Sequence, residues 1–279
     1  MHRIVLLFFV LHQAVFAATA IEGKVISIDS AAKAFELEVS KSGSSEFVAG
    51  DKKSFRVSRG DLEVGYLGRH IRANAAFYNK AWHLEQVFPV DGDGADEVRL
   101  VNRIFHRDTE AMKRGKFLRE GDVIPNFGMI DQHGKFVQIN NLKGKSFVLN
   151  FIFTRCQAAK MCPASSTKME ELQEKARGAG LSNLHFVTVS FDPAFDSPGT
   201  LRTYAKGYGM EFDNFHLLTM NQEVVDDLLR QVGILTMEED GTINHTIATL
   251  LVDAEGRVAY REEGPAWKTE NFLKKAKAL

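Results

Sequence analysis

Cys156 and Cys162 are the only two cysteines in the 279 residues. They lie in the stretch Phe-Ile-Phe-Thr-Arg-Cys-Gln-Ala-Ala-Lys-Met-Cys-Pro at positions 151–163, with five residues between them. Residues 147–153 are apolar or β-branched except for Asn150, which predicts a buried strand ahead of the thiols. After Pro163 the pattern turns helical. A helix start favours a thiolate, because unpaired N–H groups and the positive end of the macrodipole face it. Proline suits the first helical position and pushes its predecessor out of helical geometry. This predicts Cys162 at the N-cap and makes it the more acidic thiol, while greater exposure would favour Cys156 as the attacking one. Six helical residues would carry Cys156 to the far side and about 9 Å along the axis. Cys156 is therefore expected in the loop, free to fold back on Cys162.

Two further stretches could converge on the thiols. One is the run from Ser190 to Pro198, which contains Asp192 and follows a predicted strand at 184–190. The other is Asn244-His245-Thr246, just before the apolar run at 247–252. Two thiolates and an imidazole form a soft ligand set that suits copper(I), copper(II) or zinc. A nearby aspartate, Asp192, could orient the imidazole. Without metal, the same pair is a dithiol able to exchange with a partner's disulfide, with Cys156 attacking and Cys162 resolving, or the reverse. A purely structural disulfide is poorly motivated, since closing so short a loop removes little unfolded-state entropy.

The elements that must position these residues fall into blocks. Residues 1–20 read as a signal peptide: a basic start, an apolar core at 4–11 and small residues at Ala18-Thr19-Ala20. No cysteine lies near that site, which argues against lipid anchoring, and no later segment is apolar enough to span a bilayer. The leader implies an exported, periplasmic or otherwise extracytoplasmic protein, in a compartment where a close dithiol is oxidised unless something reduces it. Residues 21–91 alternate in the manner of short strands broken by turns, which predicts a small all-β barrel, possibly of OB-like form. Residues 92–116 combine an Asp/Gly-rich linker with an amphipathic, basic helix. From residue 117 to 279 strands alternate with helices and close in a hairpin across 253–256. That pattern predicts an α/β mixed sheet with flanking helices. The formal net charge is −1, which argues against nucleic acid as a partner.

Residues 117–279 resemble the Sco/SenC copper-chaperone family, which has a thioredoxin-like fold. The matching pieces are strand–Phe-Thr-Arg-Cys…Cys-Pro–helix, the run Ser190-Phe-Asp-Pro-x-x-Asp-Ser-Pro-x-x-Leu-x-x-Tyr204, and His245-Thr246 before Leu-Leu-Val-Asp-x-x-Gly. The resemblance implies a copper ion held by Cys156, Cys162 and His245, with Asp192 near the metal. It implies a chaperone that delivers copper to, or reduces the thiols of, the copper site of a respiratory oxidase. The implied partners are a copper-accepting protein such as a cytochrome c oxidase subunit and a thiol reductant protein. The family commonly spaces its cysteines by three residues, where this chain has five. The resemblance does not extend over residues 21–90.

Overall fold

The structure, a computed structural model, describes residues 18–239 and 242–279. The predicted leader lies outside the described residues up to position 17. Its last two residues, Thr19 and Ala20, already belong to the first strand and pair with Ala75 and Asn74.

Period-2 alternation in the first block produces five strands: β1 (Thr19–Asp29), β2 (Ala34–Ser42), β3 (Lys52–Arg56), β4 (His70–Tyr78) and β5 (Ala81–Pro89). They close into a barrel in the order β1-β2-β3-β5-β4, so the predicted barrel is present. Inward residues such as Val25, Phe35, Leu37, Phe55, Ile71 and Val87 are fully buried, and their removal from water is what holds the strands together. Tyr66 crosses this interior and donates its hydroxyl to the Val87 carbonyl at 2.9 Å. The glycine-marked stretch after β3 forms a single-turn helix, α1 (Arg59–Leu62), capped by Ser58, whose Oγ accepts from the Asp61 N–H at 3.1 Å.

The amphipathic helix, α2 (Ala95–Glu110), is shorter than the sequence pattern suggested. Val98, Asn102, Phe105 and Thr109 repeat at helical spacing on its buried face. Beyond Ala111 no apolar stripe continues, and Gly115 takes φ 76°, so residues 112–116 leave the helix as a basic loop.

The second block is a seven-stranded sheet: β6 (Gly128–Asp131), β7 (Phe136–Gln138), β8 (Ser146–Ile152), β9 (Leu184–Ser190), β10 (Phe215–Thr219), β13 (Ala248–Val252) and β14 (Val258–Glu263). Its order is β14-β13-β8-β9-β10-β6-β7. β8, β9 and β10 are parallel and buried on both faces, which explains their largely apolar runs; the buried Asn150 and Thr188 within them pair with each other at 2.6 Å. Helices α3 (Cys162–Gly178), α4 (Pro198–Tyr208), α5 (Gln222–Val232) and α6 (Thr269–Ala276) accompany it. Val187, Val189, Phe151 and Leu228 pack in one core, while Val148, Phe186, Met169 and Leu201 pack in another, so the sheet is covered on both sides. A small hairpin, β11 (Thr236–Glu239) and β12 (Thr242–His245), precedes β13 and was not foreseen from the sequence.

The barrel is fastened to this sheet domain by close backbone contact. A Cβ built on Gly60 would lie 2.0 Å from the Gly199 carbonyl oxygen. Only a pair of glycines lets α1 and the start of α4 meet this closely. Around that contact Glu63 accepts from Arg202 at 3.1 Å and from Lys206, and Arg69 donates to the Gly134 and Asp91 carbonyls at 2.7 and 2.6 Å.

Candidate metal and thiol site

β8 and β9 end side by side, Ile152 opposite Ser190, and both chains then turn into loops. The loop after β8 carries Cys156, and α3 begins at its far end. Cys162 is the first residue of α3, with Met161 at the N-cap, so the helix begins one residue earlier than the proline rule predicted. Cys156 is in the loop as expected, partly exposed, and both cysteines are free thiols.

Cys162 Sγ lies 3.7 Å from Nε2 of His245. On the other side of the ring, Nδ1 sits 3.0 Å from the Thr246 carbonyl oxygen. A carbonyl only accepts, so Nδ1 carries the proton and the Nε2 lone pair faces the thiol. Phe153 and Phe191 flank the ring, with centroids 5.9 and 4.7 Å from its own. Burial between them pushes the imidazole pKa below its ordinary value, which keeps the ring neutral.

Burial also sets the character of Cys162, which is 1% exposed. Desolvation pushes its thiol well above the ordinary value, and the neighbouring Cys156 thiol adds to this. Main-chain hydrogen bonds from Phe153 and from Cys162 itself only partly oppose the rise. The expectation that the helix start would make Cys162 the more acidic thiol is therefore overturned: the helix start offers a fraction of a charge, while burial removes water altogether.

Asp192 is 4% exposed and close to the cysteine loop, but it does not orient His245. Its Oδ2 accepts from Nε of Arg155 at 2.5 Å, and the Arg155 guanidinium lies 4.0 Å above the Phe195 ring. The imidazole is fixed instead by a main-chain carbonyl, which no side-chain pattern reveals. A second carboxylate, Asp196, anchors the cysteine loop. It is fully buried and accepts from the Thr154 N–H at 3.0 Å, from the Thr154 hydroxyl, and from Ser190 Oγ at 2.5 Å. Sequence reasoning named the run containing Asp196 without giving it this task; its place beside Asp192 in a loop after a buried strand was the available signal.

The donors suit a soft metal. A bond of about 2.3 Å to sulfur and about 2.0 Å to nitrogen sums to more than the 3.7 Å between Cys162 Sγ and His245 Nε2. One ion can thus touch both without moving either. Among the described residues, no three His, Cys, Asp or Glu side chains already form a metal cage. Cys156, on the loop at 156–161, already neighbours the Cys162 thiol and is the third donor the loop offers.

A sheet of this order with a dithiol at the carboxyl ends of its parallel strands and an imidazole facing them defines a thioredoxin-like domain with a thiol–imidazole site. Residues 117–278 match the family described as SCO1/SenC, and the chain belongs to that family. Among its relatives, the SCO1 protein homolog of Bacillus subtilis is 29% identical over 136 residues, covering 47% of this chain and 69% of the relative. A Stutzerimonas stutzeri protein named for copper binding is 28% identical over 159 residues, covering 52% of this chain and 76% of the relative. Among solved structures, BsSco is 25% identical with a TM-score of 0.51, covering 58% of this chain and 97% of that one. BsSco is described as a member of the Sco family of cytochrome c oxidase assembly proteins with a disulfide switch.

Proposed function

We propose that this protein is an extracytoplasmic copper-binding chaperone that supports delivery of copper to, or assembly of, a respiratory oxidase copper site. The observation that carries the reading is the approach of Cys162 Sγ to the unprotonated Nε2 of His245 at 3.7 Å, with the opposite nitrogen engaged by Thr246. Cys162 supplies one donor from the start of α3 and His245 a second from the end of β12, and Cys156 supplies the third from the loop. Copper is cargo here: a site with one partly exposed ligand on a loop is reachable by an acceptor that takes the ion on. Family membership and the copper-binding name of the Stutzerimonas relative support this reading. The leader read at residues 1–20 supports export. Among the described residues no helix is long and apolar enough to cross a membrane.

A second reading, a thiol–disulfide oxidoreductase acting on partner cysteines, is favoured by the unequal exposure of the two thiols. Cys156 is reachable and would attack, while Cys162 is buried and would resolve. Copper titration of the reduced protein and of Cys156→Ser, Cys162→Ser and His245→Ala separates the two. The chaperone reading expects each variant to lose copper affinity. If His245→Ala binds copper as tightly as the parent while a partner disulfide is reduced efficiently, the oxidoreductase reading replaces it.

A further inference from the structure

A groove of about 600 Å³ runs beside the site hairpin, between the loop that follows α2 and the C-terminal end of α5. Its apolar lining is Phe117, Leu229, Ile234 and Leu235; its rim carries Lys113, Lys116 and Arg230. Phe117 is firmly seated. The guanidinium groups of Arg119 and Arg261 lie 5.1 and 5.0 Å from its ring centroid, and Gly233, at φ 79°, packs so close that a Cβ there would come within 2.6 Å of the ring. Leu235 stands 73% exposed at the groove's edge.

The charges on this rim are unevenly matched. Arg230 is paired with Glu110 at 2.6 Å, and Asp226, which accepts from the neutral Gln222 at 2.8 Å, leaves one negative charge on the rim. Lys113, Arg114 and Lys116 are exposed, and no salt bridge joins any of them to a carboxylate among the described residues. The surface is thus an apolar floor with surplus positive charge above it, which complements an acidic segment carrying an apolar anchor. A concave floor with one protruding leucine fits a polypeptide better than the flat surface of a bilayer.

The groove touches the site through the backbone. The Leu235 N–H donates to Thr246 Oγ1 at 2.9 Å, the Thr246 N–H donates to the Leu235 carbonyl at 2.9 Å, and Thr236 pairs with His245 across the hairpin. Whatever occupies the groove rests against Leu235 and Thr236, at the start of the strand paired with the one that carries the imidazole.

We infer that this groove is a docking surface for an acidic, apolar-anchored segment of the protein that exchanges copper or electrons with the cysteine–histidine site. The surface follows from its own charge and shape; the assignment of its occupant to that exchange rests on the proposed function.

The test uses the whole protein and a fluorescein-labelled peptide of alternating Glu/Asp and Leu/Phe, followed by anisotropy, with copper affinity measured separately. Binding is expected to weaken about tenfold or more in Lys113→Glu/Lys116→Glu, and likewise in about 0.5 M salt. Leu235→Asp should weaken it as well, and amide shifts on binding should concentrate at 113–117 and 229–236. All three positions are exposed, so circular dichroism should show an unchanged fold. Failure of the peptide to bind, binding indifferent to both the charge reversal and Leu235→Asp, or lysine-dependent binding of phosphatidylglycerol vesicles in place of the peptide would each overturn the inference. Normal copper affinity with no peptide binding would defeat the groove alone; peptide binding with no copper affinity would leave the groove standing and remove the proposed exchange.

Discussion

Cys162 and His245 stand 83 residues apart in the chain, yet their sulfur and nitrogen lie 3.7 Å apart. If one copper ion joins them, removing either donor destroys the same bond set. Cys162→Ser and His245→Ala should each lower copper affinity by about 100-fold or more, beyond the range for losing an outer partner of a ligand. The double variant should bind little worse than the weaker single one, because the effects of residues sharing one site do not add. Competition against a chromophoric copper chelator measures all three, and additive losses would mean that the two residues serve separate sites.

Asp196 is expected to matter more for stability than its distance from the donors suggests. Replacing it by alanine strands the Thr154 N–H, the Thr154 hydroxyl and the Ser190 hydroxyl at the root of the cysteine loop. Leaving such buried donors unpaired should cost about 2–4 kcal/mol. Asp196→Asn retains one acceptor oxygen and should cost less. Urea denaturation orders the three proteins.

The junction between barrel and sheet domain depends on two glycines. In Gly60→Ala the new methyl would meet the Gly199 carbonyl, and in Gly199→Ala it would meet the Asp61 carboxylate at 2.2 Å. Either change should destabilise by about 1–3 kcal/mol, the usual cost of overpacking. Proteolysis within residues 57–68 or 90–95 should become faster than in the parent. Unchanged melting and cleavage would show that the glycine contact is not what holds the two parts together.

Asp61 gives the protein a pH dependence of known sign. It is buried at that junction, its Oδ1 has no hydrogen-bond partner, and burial raises its pKa from 3.8 to about 6, against the opposing hydrogen bonds from Ser58. The folded state therefore takes up the proton before the unfolded chain does. Near pH 7 the ionised carboxylate lowers stability by roughly 3 kcal/mol, and this cost disappears as the pH falls through about 6 towards about 4. Asp61→Asn should be more stable than the parent near pH 7, with the gap narrowing near pH 5. Denaturation midpoints at the two pH values measure it, and an equal gap at both would contradict it.

Periodicity and spacing alone determined a good deal. Strict alternation before residue 90 specified strands that could bury Phe35, Phe55 and Val87 only by closing on themselves. The mainly apolar runs at 147–153 and 184–190 pointed to a sheet covered on both faces, and the placing of Pro163 fixed where the helix after the thiols begins to within one residue. The types and order of Cys156, Cys162 and His245 marked them as one group.

What tertiary structure decided was everything that depends on burial and on main-chain partners. Cys162 loses its predicted acidity because packing removes its water, an effect larger than that of the helix end it occupies. The tautomer of His245 is set by the Thr246 carbonyl, and Asp192 turns to Arg155 instead, since a guanidinium beside a buried carboxylate is the stronger partner. The Gly60–Gly199 contact joins residues far apart in the chain, and only the fold brings them together.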